Sequence, residues 1–169
     1  MTWQLRDPTF RQSIRDIVNA AGERCTLAGT VGVQIHLAFT LGIDKLGPPA
    51  HAIELVFPGD PEGTGLVLGG TVSGVPVRII DALGFEASVQ AERAVIEVAG
   101  ERFPVAAPEH ILGLSLAAPD LPPDAKWACF LLMRIYAERL DLEEVRGFLK
   151  RCRDPERQAL LAELAYLAA

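Results

Sequence analysis

The composition of this 169-residue chain changes after Val105, and that change limits the folds open to it. Before it, short apolar runs are separated by glycine and proline. After it, apolar residues recur at helical spacing. The expectation is an α+β chain. Residues 1–105 would form an α/β portion with a mixed sheet flanked by helices. Residues 106–169 would form a helical portion packed on it, in a single compact unit. Half of the residues are hydrophobic and 22% are charged, which excludes intrinsic disorder. A chain of this length buries roughly 70% of its unfolded surface, so its core needs no staples.

Local signals give the elements. Asp7 caps a helix that opens on Pro8, and Phe10, Ile14, Ile17, Val18 and Ala21 follow at helical spacing up to Gly22. A short apolar stretch, Cys25 to Ala28, leads through Gly29 into Thr30–Leu41, which reads as a buried helix or a strand, with a helix favoured. Ala52–Phe57 and Val75–Ile80 read as strands, and Pro76 places the second at an edge or bulge. Ala94–Val98 and Phe103–Val105 flank a glycine-containing hairpin loop. Beyond Val105, helices are expected over 109–116 and 127–139, the second buried because it is apolar nearly all round. Asp141 and Glu144 make an aspartate variant of the capping box. Asp154-Pro155 starts a last helix, with Leu160, Leu161, Leu164 and Leu167 on one face.

Charge and composition exclude several functions. Asp and Glu number 22 against 16 Lys and Arg, a net charge of −6, so no extended nucleic-acid surface and no anionic-membrane surface is expected. No uncharged apolar run reaches roughly 18 residues, and charges interrupt the first twenty, so neither a membrane span nor a signal peptide is expected. Cytoplasmic location is the expectation. Cys25, Cys129 and Cys152 are odd in number and far apart, which suits reduced, inert thiols. Five glycines fall between Gly59 and Gly70, but the P-loop lysine is absent, so a hairpin turn is the reading there. His36, His51 and His110 are too scattered to read as a metal cluster, and each reads as a structural or surface histidine.

The order of elements and a handful of residues resemble the nucleotidyltransferase fold of the DNA polymerase β-like superfamily. The resemblance runs from about Leu27 to Leu149. It is closest to the small bacterial branch of minimal nucleotidyltransferases and abortive-infection-type toxins. Leu27-Ala28-Gly29-Thr30 matches the family's first strand and glycine turn. His51-Ala52-Ile53-Glu54 stands where the family has an acid, a spacer and a second acid. Val77-Arg78 stands where a third acid follows a valine, with Asp81 three residues on. Val105-Ala106-Ala107-Pro108-Glu109 matches a Val-x-x-Pro-Glu helix start, but Ser115 replaces its lysine.

The resemblance implies a triphosphate held at Gly29 and Thr30 and two magnesium ions held by carboxylates. Alternation puts Ala52 and Glu54 on one strand face, where a single carboxylate then remains. Arg78 would bring positive charge to the cation's place, a repulsion of about 4 kcal/mol per unit charge at ~4 Å. The motif positions Ala52, Glu54, Arg78 and Ser115 therefore look degenerate. The expectation is a catalytically silent protein with a binding or regulatory role, no metal and no cofactor. A nucleotide, a protein partner or a second copy of the chain would be its ligand. The alternative is an active enzyme using magnesium and a nucleoside triphosphate through relocated carboxylates. Glu54 and Asp81 are its leading candidates, with Asp44, Asp60 and Glu62 in reserve. A further alternative is an α+β interaction protein outside the family.

Overall fold

The computed structural model describes residues 1–59, 71–72, 74–152 and 154–169. Most of the glycine-rich 59–70 segment, with Asp60 and Glu62, lies outside the described residues.

Helix α1 (Pro8–Ala21) starts where its cap predicts: Asp7 Oδ1 accepts from the Thr9 amide at 2.9 Å, and Phe10, Ile14, Ile17 and Ala21 are buried. Strand β1 (Thr26–Ala28) is wholly buried and passes directly into helix α2 (Gly29–Leu41). The ambiguous apolar run is therefore helical. It is buried from Gly29 to Leu37, apart from half-buried Thr30, because it runs through the centre of the molecule between the sheet and helix α5 (Pro123–Tyr136). Strands β2 (Ile53–Val56), β3 (Thr71–Val72), β4 (Val75–Ile79), β5 (Ala94–Val98) and β6 (Glu101–Val105) complete a six-stranded mixed sheet in the order β3-β4-β2-β1-β6-β5. β1 pairs antiparallel with β2 and parallel with β6, while β2 pairs parallel with β4.

Helix α3 (Glu86–Glu92) precedes the β5–β6 hairpin, and helices α4 (Pro108–Ala117), α5, α6 (Leu142–Leu149) and α7 (Pro155–Ala168) end the chain. The architecture is thus a mixed α+β fold, a sheet flanked by helices with further helices after the last strand. Among the described residues, no helix is long and apolar enough to cross a membrane.

Three expectations about the helices need correction. α5 begins at Pro123 rather than near Trp127, because Pro123 sits in its first turn, where a proline costs no hydrogen bond. α5 is also not buried all round. It packs on α2, α4 and α7, which covers Ala128, Cys129, Leu132 and Met133 and leaves Trp127 44% exposed. On α7 the covered stripe is Leu161, Leu164 and Ala168, and Leu167, one residue out of phase, faces outward.

His36 on α2 ties the sheet side to α5. Its Nε2 lies 2.9 Å from the Ala106 carbonyl oxygen and its Nδ1 2.9 Å from the Tyr136 hydroxyl. A carbonyl only accepts, so Nε2 carries the proton and Nδ1 accepts from Tyr136. Burial holds the imidazole below its ordinary value of 6.5, against the Ala106 hydrogen bond and the Glu109 charge. A depressed folded value means that the unfolded chain takes up the proton first as pH falls. The stabilising contribution of His36 is thus complete above pH 6.5 and is lost as pH falls toward the lower folded value. An NMR titration of the His36 ring is expected to show it more than half neutral at pH 6.5. Tyr136→Phe is expected to cost about 1 kcal/mol in urea unfolding, the worth of one such hydrogen bond.

Candidate functional site

The sheet register builds the floor of a cleft. Ala28, Glu54 and Arg78 lie side by side on β1, β2 and β4. Ala52 precedes Glu54 by two residues and faces the same way. Gly29 and Thr30, the first turn of α2, stand at the end of this row. Ser115 and Ala118, from the end of α4 and just beyond it, form another wall, and Asp120, Asp124 and Ala125 of the α4–α5 connection and α5 close it. The cleft holds about 360 Å³. Gly29, Thr30, Ala52, Glu54, Arg78 and Ser115 all line it. Asp81 and Asp44 do not: Asp81 Oδ1 accepts from the Leu83 amide at 2.9 Å in the turn after β4, and Asp44 is exposed beyond α2.

Glu54 sits against the amino end of α2, where free amides and the helix dipole favour negative charge. Its Oε1 is 3.5 Å from the Thr30 amide. Burial pushes the Glu54 carboxyl above its ordinary value, opposed by the neighbouring Arg78 guanidinium and the Thr30 amide. Across the mouth, His51 Nε2 meets Asp124 Oδ2 at 2.9 Å. Burial pushes the Cys129 thiol behind Ser115 up to about 12, against its hydrogen bond to Ser115, which makes a poor nucleophile.

The two-magnesium arrangement implied by the family resemblance does not fit these residues. It asks for several carboxylates on one patch, whereas Glu54 stands alone on its row beside Arg78. Asp120 and Asp124 belong to the opposite wall, and no three metal-donor groups converge in the cleft among the described residues. One magnesium arriving on a nucleotide is a smaller demand, since that ion commonly needs only one or two protein carboxylates beside the phosphates.

A separate cluster corrects the expectation of no metal and no cofactor. Glu92 at the end of α3, His110 in the first turn of α4 and Glu144 in α6 bring three donor atoms within 4.8 Å of one another. His110 Nε2 is 3.1 Å from Glu92 Oε2 and 3.0 Å from Glu144 Oε1. His110 is 1% exposed, while both carboxylates reach the surface. Burial pushes the Glu144 carboxyl up to about 7, with Glu92 next to it adding to the shift. Burial also holds His110 below its ordinary value, with Glu92 and Glu109 opposing.

The capping box assigned to Asp141 and Glu144 is half formed, and the missing half explains the cluster. Asp141 Oδ1 accepts from the Glu143 and Glu144 amides. The Glu144 side chain does not return the favour, because Glu109 Oε1 takes the Asp141 amide at 3.1 Å. Glu144 is thereby freed to turn toward His110. Sequence reasoning passed over Glu92, His110 and Glu144 because they lie 18 and 34 positions apart, on three different helices. The one available signal was a histidine two residues after Pro108, on a helix whose other residues are almost all apolar. Asp120 and Asp124 were missed because the stretch around them reads as a turn.

No protein-family model matches the sequence, and comparison with curated proteins gives no match.

Proposed function

We propose that this chain is a nucleotidyltransferase-like protein whose cleft binds a nucleotide as its magnesium complex. The observation that carries this reading is the convergence of Gly29, Thr30, Ala52, Glu54, Arg78 and Ser115, drawn from four elements, on one cleft. Arg78 and the first turn of α2 offer positive ends to phosphate oxygens. Glu54, Asp120 and Asp124 offer carboxylate oxygens to the accompanying ion. Asp120 and Asp124 are not the relocated carboxylates expected from the sequence, whose leading member Asp81 lies outside the cleft.

A second reading, binding without nucleotidyl transfer, is favoured by one feature: Arg78 stands beside Glu54, where the resemblance asks for the third acid. Thermal unfolding with magnesium and each of the four ribonucleoside triphosphates tests the shared claim. Ligand at 100 times its Kd is expected to add about 2.7 kcal/mol of stability. Arg78→Ala, at an exposed position, is expected to remove most of that gain while leaving the ligand-free protein folded. No stabilisation by any nucleotide overturns the proposal. Incubation with α-labelled triphosphate then separates the two readings: label passed to an acceptor favours transfer, and unchanged triphosphate favours binding alone.

A further inference from the structure

The geometry points to a mononuclear site for a zinc-class divalent cation, held by His110 Nε2, Glu92 and Glu144, that clamps α3 to α4 and α6 outside the cleft. Three observations carry it. The first is the donor geometry. Two ligand atoms on a tetrahedral ion are about 3.4 Å apart when each is ~2.0–2.1 Å from the metal. The observed separations from Nε2 are 3.0 and 3.1 Å, and all three donor atoms lie within 4.8 Å of one another, so side-chain adjustment alone brings them round one ion. Glu92 is more than half exposed and free to make that movement.

The second observation is a mismatch of donors and acceptors. A neutral imidazole has a single N–H, yet two carboxylates converge on one ring nitrogen. Glu109 and Asp141 add further negative charge nearby, and the Asp141 carboxylate is already spent on capping α6. A cation serves all three donors at once, where a proton shared between Glu92 and Glu144 serves only the two carboxylates. The other ring nitrogen, Nδ1, is buried without a partner among the described residues. Binding through Nε2 puts the ring proton on Nδ1, where it has no acceptor among the described residues, a cost that the metal–ligand bonds must offset.

The third observation is that the site is built rather than assembled from surface chains. His110 is 1% exposed and packs edge-on against Phe148, with ring centroids 5.3 Å apart. The ring's direction is thus set by the core, and it presents Nε2 to the two carboxylates. One imidazole nitrogen with two carboxylate oxygens suits zinc and its first-row neighbours better than magnesium or calcium, which prefer oxygen donors alone. Three protein ligands leave one tetrahedral position for water.

Titration calorimetry with zinc chloride, after chelator treatment and dialysis, is the test. The wild-type chain is expected to bind one zinc, with magnesium at least a hundredfold weaker. Glu92→Gln and Glu144→Gln are each expected to weaken zinc tenfold or more. Cys152→Ser, which removes the half-buried thiol, is expected to bind as the wild type does. Zinc is also expected to raise the melting temperature of the wild type more than that of Glu92→Gln at the same zinc concentration, because that carboxylate is α3's ligand in the site. His110→Ala is the direct variant, but it empties a core position. Glu92→Gln changes only a surface carboxylate and keeps the test decisive if His110→Ala fails to fold. No zinc binding by the wild type, unchanged affinity in both glutamine variants, or magnesium binding as tight as zinc would each overturn the assignment.

Discussion

Phe148→Ala is expected to lower the unfolding free energy by about 3–5 kcal/mol, the range for deleting a fully buried aromatic side chain. Phe148 on α6 is 1% exposed. Its ring meets Phe85 at a centroid distance of 4.1 Å and His110 at 5.3 Å. It also fills a notch that only glycine leaves open. A Cβ placed on Gly113 of α4 would stand 2.5 Å from Phe148 Cδ2 and 2.6 Å from Cγ. Helices α4 and α6 therefore approach at Gly113, and the phenyl ring occupies the space a side chain would take. Removing the ring leaves a cavity between two helices that are also tied by the hydrogen bond from the Asp141 amide to Glu109. Urea unfolding of the variant measures the loss. A cost under about 1 kcal/mol would mean that the α4–α6 seam collapses freely and that His110 is not held by it.

The same seam shows where a sequence stops being informative. Caps and turns were legible because their chemistry is local. Asp7 with Pro8, Asp154 with Pro155, and Pro108 each start a helix within a residue of the expected place, the first two through a cap bond spanning two positions and Pro108 with no side-chain cap. The floor of the cleft formed by Gly29, Glu54 and Arg78 could be anticipated only through the motif positions of the family resemblance, since strand alternation by itself pairs no more than Ala52 with Glu54. The opposite wall could not. Asp120 and Asp124 reach the cleft only because α5 docks on α2, a choice made by side chains on both helices. Helix α3 escaped because it buries one residue, Val89, and a single apolar position has no period. Glu144 escaped for a different reason. Its capping-box role was a sound local inference, and a competitor from another helix, Glu109, took the partner it would have used. Long-range competition of this kind leaves no trace in the spacing of residues along the chain.

Gly29→Ala is expected to cost about 2 kcal/mol or more, in two separable parts. Gly29 has φ of +59°, a left-handed conformation that costs an L-residue roughly 1–2 kcal/mol. The second part is steric. The new Cβ would lie 2.3 Å from Glu54 Oε1 and 2.5 Å from its Cδ, so the carboxylate must leave the amino end of α2. Moving it gives up the favourable meeting of an anion with the helix dipole, worth about 0.3–1 kcal/mol, and disturbs the Arg78 side chain next to it. A double-mutant cycle with Glu54→Ala separates the parts, because the two side chains are in direct contact. In the Glu54→Ala background only the backbone cost should remain, so Gly29→Ala is expected to be cheaper there than in the wild type. Equal costs in both backgrounds would show that Glu54 does not press on the glycine turn. The floor of the cleft would then not be the tight junction of β1, β2 and α2 described above. A smaller cost beside an alanine at position 54 would instead make Gly29 and Glu54 one unit: the glycine exists in order to let the carboxylate in, and any ligand phosphate reaching the first turn of α2 must contend with that same carboxylate.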